Sequence, residues 1–311
     1  MMEGMMMGAS GEVYLCFVMS ASRTIVPFNW NGSKAGLLNL ILENMPPHDH
    51  YVEPFLGAAT VYLNKPPAKL STLNDIDLNI VTFFRVLQDR HKTQELLRHL
   101  RYTPYARAEY ERACALLSGE GELDDVSRAW AFFVAQTMGF AHSYYHDPSG
   151  RRFGYDRKPS STLSSYTNRT RQLIVVSERL RSAQIEHGNG LRVMERYDAE
   201  GVFMFVDPPY PVQTVKIKRS LYSSEYDNKL HEDLLNFVLK AKSKIMLASY
   251  PNEMYDELLK HGWRRIDKER RISAAVCTRE MVRARSGTGM IRDRRVESLY
   301  INYRTESGLF G

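Results

Sequence analysis

Cysteine is scarce in this chain, with three in 311 residues. Cys16, Cys114 and Cys277 are scattered and lack metal-ligand spacing. That excludes a disulfide scaffold and a thiolate metal site, and it implies reduced thiols in a cytoplasmic setting. Long apolar runs are also missing. The Met-rich start holds one short apolar run, residues 13–18, too short to cross a bilayer. It has no basic segment before it, so a signal peptide is not expected. Residues 1–22 read as a disordered extension, and Met19 is an alternative start. There is no G-x-G-x-x-G, so no dinucleotide site is indicated. No internal repeat or heptad array is present. Acidic excess is absent as well: 42 Lys and Arg against 36 Asp and Glu leave a formal charge of +6. A pI near 9.1 favours a polyanionic partner.

What is present alternates between strand and helix patterns. Residues 34–45 space Leu37, Leu38, Ile41 and Met45 as an amphipathic helix. Tyr51 and Val52 end a short strand, and residues 57–64 start a helix. Residues 70–73 form a second strand and 76–87 a second helix. This βαβα order predicts an α/β fold, a doubly wound, mostly parallel sheet. From 89 to 170 the rhythm changes. Helices are expected at 95–100, 106–117 and 126–138, followed by a polar, loop-rich stretch at 142–170. The βαβ order then returns: helix 171–181, strand 183–186, helix 229–241, strand 244–248, helix 253–260 and a closing strand at 296–303. Residues 271–278 are its expected hairpin partner. The domains read as a catalytic unit of 23–88 and 171–311 with an inserted unit of 89–170.

Residues 202–210 read VFMFVDPPY. Five uninterrupted apolar residues suit a strand buried on both faces. In open α/β sheets ligands bind beyond the carboxyl ends of such strands, where Asp207 stands. Pro208 and Pro209 fix their own φ and remove two backbone donors. A stiff turn then offers a carboxylate, bare carbonyls and the Tyr210 ring to one small space. That suits a flat heterocycle bearing an exocyclic amine. Upstream, Tyr51-Val-Glu-Pro-Phe-Leu-Gly-Ala-Ala brings Glu53 to a strand end, and Gly57 lets backbone approach a ligand at a helix start. In Leu73-Asn-Asp-Ile-Asp, Asp75 lies where a doubly wound fold grips a ribose diol. Asn74, Asp75 or Asp77 can equally cap the next helix.

These segments resemble the Dam-like, adenine-specific DNA methyltransferases. The tetrad from Asp207 to Tyr210 resembles the family's DPPY motif. Glu53, Pro54, Phe55 and Gly57 resemble its EPFxGxG cofactor motif, with Ala59 in place of the second glycine. Pro27-Phe-Asn-Trp-Asn-Gly-Ser-Lys resembles its FxxWxGGK segment, with Ser33 where glycine is usual. The resemblance implies S-adenosyl-L-methionine as cofactor, with Trp30 and Lys34 at its methionine end. It implies Asp75 on the ribose, and Asn189, replacing the usual acid, on the adenine amine. Asp207 joins both the cofactor pocket and the reaction. The family places its target-recognition domain where residues 89–170 lie.

The implied activity is site-specific methylation of adenine N6 in double-stranded DNA. Asp207 and the Pro208 carbonyl accept hydrogen bonds from the amine, and Pro209 and Tyr210 complete the turn. The base must leave the duplex, and Tyr210 is the expected stacking partner. Arg151, Arg152, Arg157, Lys158, Arg169 and Arg171, interleaved with Tyr144, Tyr145, Phe153 and Tyr155, are the expected DNA contacts. A second basic stretch spans 279–295. His142 and His146 have no third partner, so no metal is expected. The chain is expected to be a monomer or weak dimer, cytoplasmic, without membrane contact, and prokaryotic or phage-encoded. RNA adenine or cytosine N4 methylation, and a silent DNA-binding protein on the same scaffold, are the alternatives.

Overall fold

The computed structural model describes residues 6–7, 13–14, 24–30, 32–119, 121–139, 153, 161–209, 224–271 and 294–304. At 6–7, 13–14, 161–162, 224–227, 270–271 and 294–295 only the backbone is described. Strands β1 (Met6–Met7) and β2 (Val13–Tyr14) pair antiparallel. A 3-10 turn at Lys34–Gly36 leads into α1 (Leu38–Glu43). Then come β3 (His50–Glu53), α2 (Thr60–Asn64), β4 (Leu70–Asp75) and α3 (Leu78–Gln88). Helices α4 (Arg90–Tyr102), α5 (Arg107–Ser118), α6 (Asp125–Met138) and α7 (Ser161–Leu180) follow. The chain continues through β5 (Ala183–His187), α8 (Gly190–Tyr197), β6 (Val202–Val206), α9 (Ser224–Val238), β7 (Lys244–Ser249), α10 (Glu253–Lys260), β8 (Arg264–Arg271) and β9 (Arg294–Ile301).

Seven strands form one sheet in the order β5-β4-β3-β6-β7-β9-β8. The first five run parallel, and β9 and β8 are antiparallel additions at the far edge. From β3 the sheet grows one way through β4 and β5, and the other way through β6 and β7. The order therefore reverses between β3 and β6, and the crevice at their carboxyl ends is where such sheets bind ligands. The expected α/β, doubly wound, mostly parallel architecture is the observed one.

The apolar run of β6 explains itself in the packing. All five of its residues are buried. Phe203 and Phe205 enter one hydrophobic cluster, and Val202, Met204 and Val206 enter the other. Strand β7 divides the same way, Met246 and Ala248 against Ile245 and Leu247. Alternate side chains point to opposite faces, and both faces are covered by helices. Burying each large apolar side chain contributes roughly 1.5–3 kcal/mol, so β6 is a rigid support for the turn that begins at Asp207.

Several expectations are corrected. Helix α7 begins at Ser161, ten residues before the expected start at 171. Its first half, rich in Ser and Thr, hides its helical character. Thr167 and Thr170 turn their hydroxyls back to the carbonyls of Leu163 and Tyr166, while Tyr166, Leu173, Val176 and Leu180 form one buried stripe. The expected boundary between 170 and 171 thus falls inside a helix. Nor do the helices from residue 89 onward carry a separate core. Leu96, Tyr110 and Phe132 share one cluster with Tyr51 and Phe203 of the sheet. The ring of Phe28 meets Phe132 at 4.9 Å and Phe83 at 5.3 Å, edge to face. The hairpin partner of β9 is β8, earlier than the expected 271–278. Its charged sequence suits an exposed edge strand and carries no apolar signal. Helix α8 adds an element that the sequence reading lacks.

No described helix is long and apolar enough to cross a membrane.

Candidate active site

Two carboxylates mark the switch point. Glu53 ends β3, and Asp207 is the first residue beyond β6. Asp207 is about one-fifth exposed, and its Oδ2 lies 2.6 Å from Lys34 Nζ. Lys34 itself is buried, and its ammonium also donates to the Gly32 carbonyl at 2.7 Å. Burial pushes the Asp207 carboxyl above the usual range, and Lys34 opposes that shift. An ammonium held by a carboxylate and a carbonyl is a tolerable buried charge, whereas alone it is costly.

Glu53 is only 2% exposed. Its Oε2 accepts from the Tyr51 hydroxyl at 2.8 Å. Burial raises its carboxyl to about 8, and the nearby negative charge of Asp207 adds to the effect. Tyr51 in turn lies under the ammonium of Lys65, 4.5 Å from the ring centre. The sequence marks Tyr51 only as a strand residue. The alternation within β3 is the signal for its role, because Tyr51 and Glu53 share one face.

The loop after β3 is built around Gly57. Its φ is +49°, and an added Cβ would stand 2.6 Å from Trp30 Nε1. Only glycine satisfies both constraints. The Gly57 amide donates to Asp75 Oδ2 at 2.9 Å, and the Asp77 amide donates to Asp75 Oδ1 at 2.9 Å. Burial pushes the Asp75 carboxyl up to about 6. The capping ambiguity is resolved: Asp77 caps α3 by accepting from Asn79, while Asp75 ties its own strand to the Gly57 loop. Next to Asp75 the side chains of Ile76 and Leu78 are each 46% exposed. Asn74, fully buried, donates to the carbonyls of Pro54 and Gly188, which locks together the loops after β3 and β5. Its Oδ1 is buried without a hydrogen-bond partner. Gly190 permits a second close approach: a Cβ there would meet the Phe55 ring at 2.7 Å and the Pro54 carbonyl at 2.9 Å.

Glu53, Asp75 and Asp207 thus stand at the carboxyl ends of β3, β4 and β6, Pro54, Phe55 and Gly57 in the loop after β3, and Trp30 and Lys34 in the segment that meets that loop and Asp207. Pro208 is buried and Pro209 exposed directly after Asp207. Asn189, expected on an adenine amine, is exposed at the end of the β5 loop. Its Oδ1 accepts from the amides of Leu191 and Arg192 and so caps α8. The sequence carried that signal, an Asn followed by buried Val193 and Met194. Arg169, expected on DNA, makes contacts within the fold. Its guanidinium donates to Val26 O and Asn29 Oδ1, both at 2.7 Å, and to Ser165 Oγ at 3.2 Å. It staples the segment that carries Trp30 onto α7 rather than reaching outward. Arg171 is exposed. Tyr210, Arg151, Arg152, Arg157, Lys158, Tyr144, Tyr145, Tyr155, His142, His146 and residues 279–293 lie outside the described residues. Phe153 packs against Tyr105, with ring centres 5.2 Å apart. Among the described residues no three His, Cys, Asp or Glu side chains converge to hold a metal.

The chain is similar to the DNA N-6-adenine-methyltransferase of Escherichia phage P1, with 26% identity over 189 residues. That match covers 59% of this chain and 24% of the phage protein, so the chain spans about a quarter of its relative. A solved structure of the Escherichia coli protein yhhF aligns over 90% of this chain and 91% of its own, with a TM-score of 0.32 and 13% identity. Residues 30–273 match the D12 class N6 adenine-specific DNA methyltransferases, and the chain belongs to that family.

Proposed function

We propose that the chain methylates the N6 amine of an adenine extruded from double-stranded DNA, using S-adenosyl-L-methionine. The observation that carries this reading is Asp207 at the carboxyl end of the central strand, held by buried Lys34 and followed by two prolines. When bound, the cofactor supplies an electrophilic sulfonium methyl.

The residues present fit such a cofactor. A Cβ at Gly57 would fill the space under Trp30, so the loop is shaped by a close approach. Asp75 keeps acceptor capacity for a ribose diol beyond its two amide partners. Ile76 offers an apolar face beside it for a purine ring. Glu53 is a buried acceptor for an ammonium, and Lys34 a donor for a carboxylate.

The adenine amine is a poor nucleophile because its lone pair is delocalised into the ring. Lys34 opposes the upward shift that burial gives the Asp207 carboxyl, and it holds Oδ2. Oδ1 and the Pro208 carbonyl then accept the two amine hydrogens, which localises the lone pair toward the methyl group. A bound cofactor would supply its methyl group to that lone pair and depart as the neutral thioether, and Asp207 would take up the surplus amine proton along its hydrogen bond. Orientation and electrostatics suffice for this step. Tyr210 stacks on the extruded base, and Arg171 with Arg151, Arg152, Arg157 and Lys158 holds phosphates.

The test is methyl transfer from labelled cofactor to duplex DNA, single-stranded DNA and RNA. Duplex DNA is expected to gain N6-methyladenine, and Asp207→Ala to abolish transfer while DNA binding persists. Transfer to RNA alone, or wild-type transfer by Asp207→Ala, overturns the reading.

A further inference from the structure

One buried titratable group plays no part in the methyl-transfer chemistry. His231 lies in α9 and is fully buried. Its Nδ1 is 2.6 Å from the hydroxyl of Tyr255 on α10, which is also fully buried. The two rings meet edge to face, with centres 5.8 Å apart. The other ring nitrogen, Nε2, faces the backbone carbonyl of Pro209. It is buried and has no completed hydrogen bond. A histidine enclosed in this way is neutral, with its pKa lowered to about 4 by burial.

A neutral imidazole carries one N–H and one lone pair. The hydroxyl of Tyr255 can donate or accept, but a carbonyl can only accept. Nε2 must therefore hold the proton, or two lone pairs would face each other at Pro209. Tyr255 then donates to Nδ1 and fixes that tautomer. A buried donor without a completed bond carries a desolvation penalty. A small inward movement of the Pro209 carbonyl removes it.

We propose that His231, set by Tyr255, is a positioning residue that holds the Pro209 carbonyl in place for the extruded base. The neighbouring Pro208 carbonyl and Asp207 are thereby aimed at the amine. The inference rests on the methyl-transfer reading. It concerns how the acceptor pair is placed, and His231 itself touches no reacting atom.

Two measurements test it. Nitrogen-15 labelling of histidine in the full chain reports the tautomer directly: His231 is expected to be protonated at Nε2 throughout pH 6 to pH 8. A proton on Nδ1 overturns the inference. Single-turnover methylation of duplex DNA is then compared for His231→Leu, His231→Gln and Tyr255→Phe, alongside cofactor affinity by calorimetry and unfolding midpoints. His231→Leu is expected to slow transfer by about 10- to 100-fold, the scale of a small misplacement at the reacting centre, with cofactor affinity within about twofold of wild type. His231→Gln restores a donor near the Nε2 position and is expected to recover much of the rate. Tyr255→Phe should fall between them. Wild-type rates in all three variants overturn the inference. So does a loss in which rate, cofactor affinity and unfolding midpoint fall together and His231→Gln gives no recovery. Activity retained by Asp207→Ala instead marks failure of the methyl-transfer reading itself.

Discussion

Lys34 Nζ and Asp207 Oδ2 are 2.6 Å apart, and the lysine is 3% exposed. The cation that the sequence places near a cofactor carboxylate thus also touches the carboxylate just beyond the central strand. Burial raises that carboxyl, and Lys34 opposes the shift.

Removing Lys34 should move the acid limb of methyl transfer. Burial raises Asp207, and Lys34 is the group that lowers it. Among the described residues Glu297 of β9 and Tyr51 and Glu53 of β3 also act on Asp207 electrostatically, and these three are not cations. In Lys34→Met the carboxyl therefore protonates at higher pH. A pH profile of kcat should show its acid limb displaced upward, with about a tenfold or greater fall at pH 7, equivalent to about 1.4 kcal/mol. Lys34→Arg keeps the charge and should keep the limb. An unmoved limb in Lys34→Met refutes the electrostatic role.

Glu53 makes the ligand-free fold sensitive to pH. Its folded pKa is raised to about 8 from 4.5, so between those values the folded state holds a proton that the unfolded state has lost. Stability therefore falls as pH rises through this window. The histidines with lowered values, His48, His50 and His231, act oppositely, but only below their ordinary value of 6.5. Between pH 6.5 and pH 8 the Glu53 effect should dominate, at up to about 1.4 kcal/mol per pH unit. Glu53→Gln mimics the protonated form and keeps an acceptor for Tyr51. Chemical denaturation should show its slope flattened and its stability at pH 8 above wild type. Its cofactor affinity should fall. An identical pH slope in the variant excludes Glu53 as the source.

Gly57 should resist substitution for two separable reasons. Gly57→Ala forces a side chain into positive φ, costing about 1–2 kcal/mol, and drives Trp30 from its place. Trp30→Ala in the same chain relieves the collision and leaves the backbone cost. Denaturant titration should find the double variant less unstable than the two single losses summed, while calorimetry finds both weak in cofactor binding. Strict additivity would show that the Trp30 contact is not the constraint.

Ala59 carries a conformation normally reserved for glycine. Its φ is 53° and its ψ 27°, at a fully buried position. An alanine thus holds the left-handed backbone here. Ala59→Gly relieves strain of about 1–2 kcal/mol. It gives back about 0.8 kcal/mol of methyl burial and about 0.5–1 kcal/mol of chain entropy. The expected net change is within about 1 kcal/mol of zero. Ala59→Val adds a β-branched side chain at positive φ in a packed site and should cost more than about 2 kcal/mol. Equal stability of the two variants would remove the strain argument.

The legible parts of the site were those encoded in adjacent residues. The order of apolar runs and helical stripes is local, so the parallel sheet and most helices could be read directly. A strand end carrying an acid and two prolines, or an acid a short distance beyond a second strand, is equally local. Helix α8 and the first half of α7 were less legible. Their signals are a cap and a single buried stripe, weak until a partner surface exists. Strand β8 was hidden because an exposed edge needs no apolar pattern.

Asn189 and Arg169 show the limit from the other side. Each has a chemically sound ligand role, and each makes bonds within the chain: Asn189, still exposed, caps a helix, and Arg169 staples Val26 and Asn29. A side chain's type sets which bonds it can make. Its neighbours decide which of them it does make.

The sequence by itself determined the sheet, the family's motif order, and the residue types at the crevice, because these follow from short-range periodicity and adjacency. Only the tertiary structure decided that Lys34 meets Asp207 across 173 positions, that Trp30 closes over Gly57, and that His231 faces the turn after β6. Those meetings depend on how the strands order in the sheet and which helices cover them. Burial then sets the charge states, since desolvation is a property of the surroundings and not of the residue.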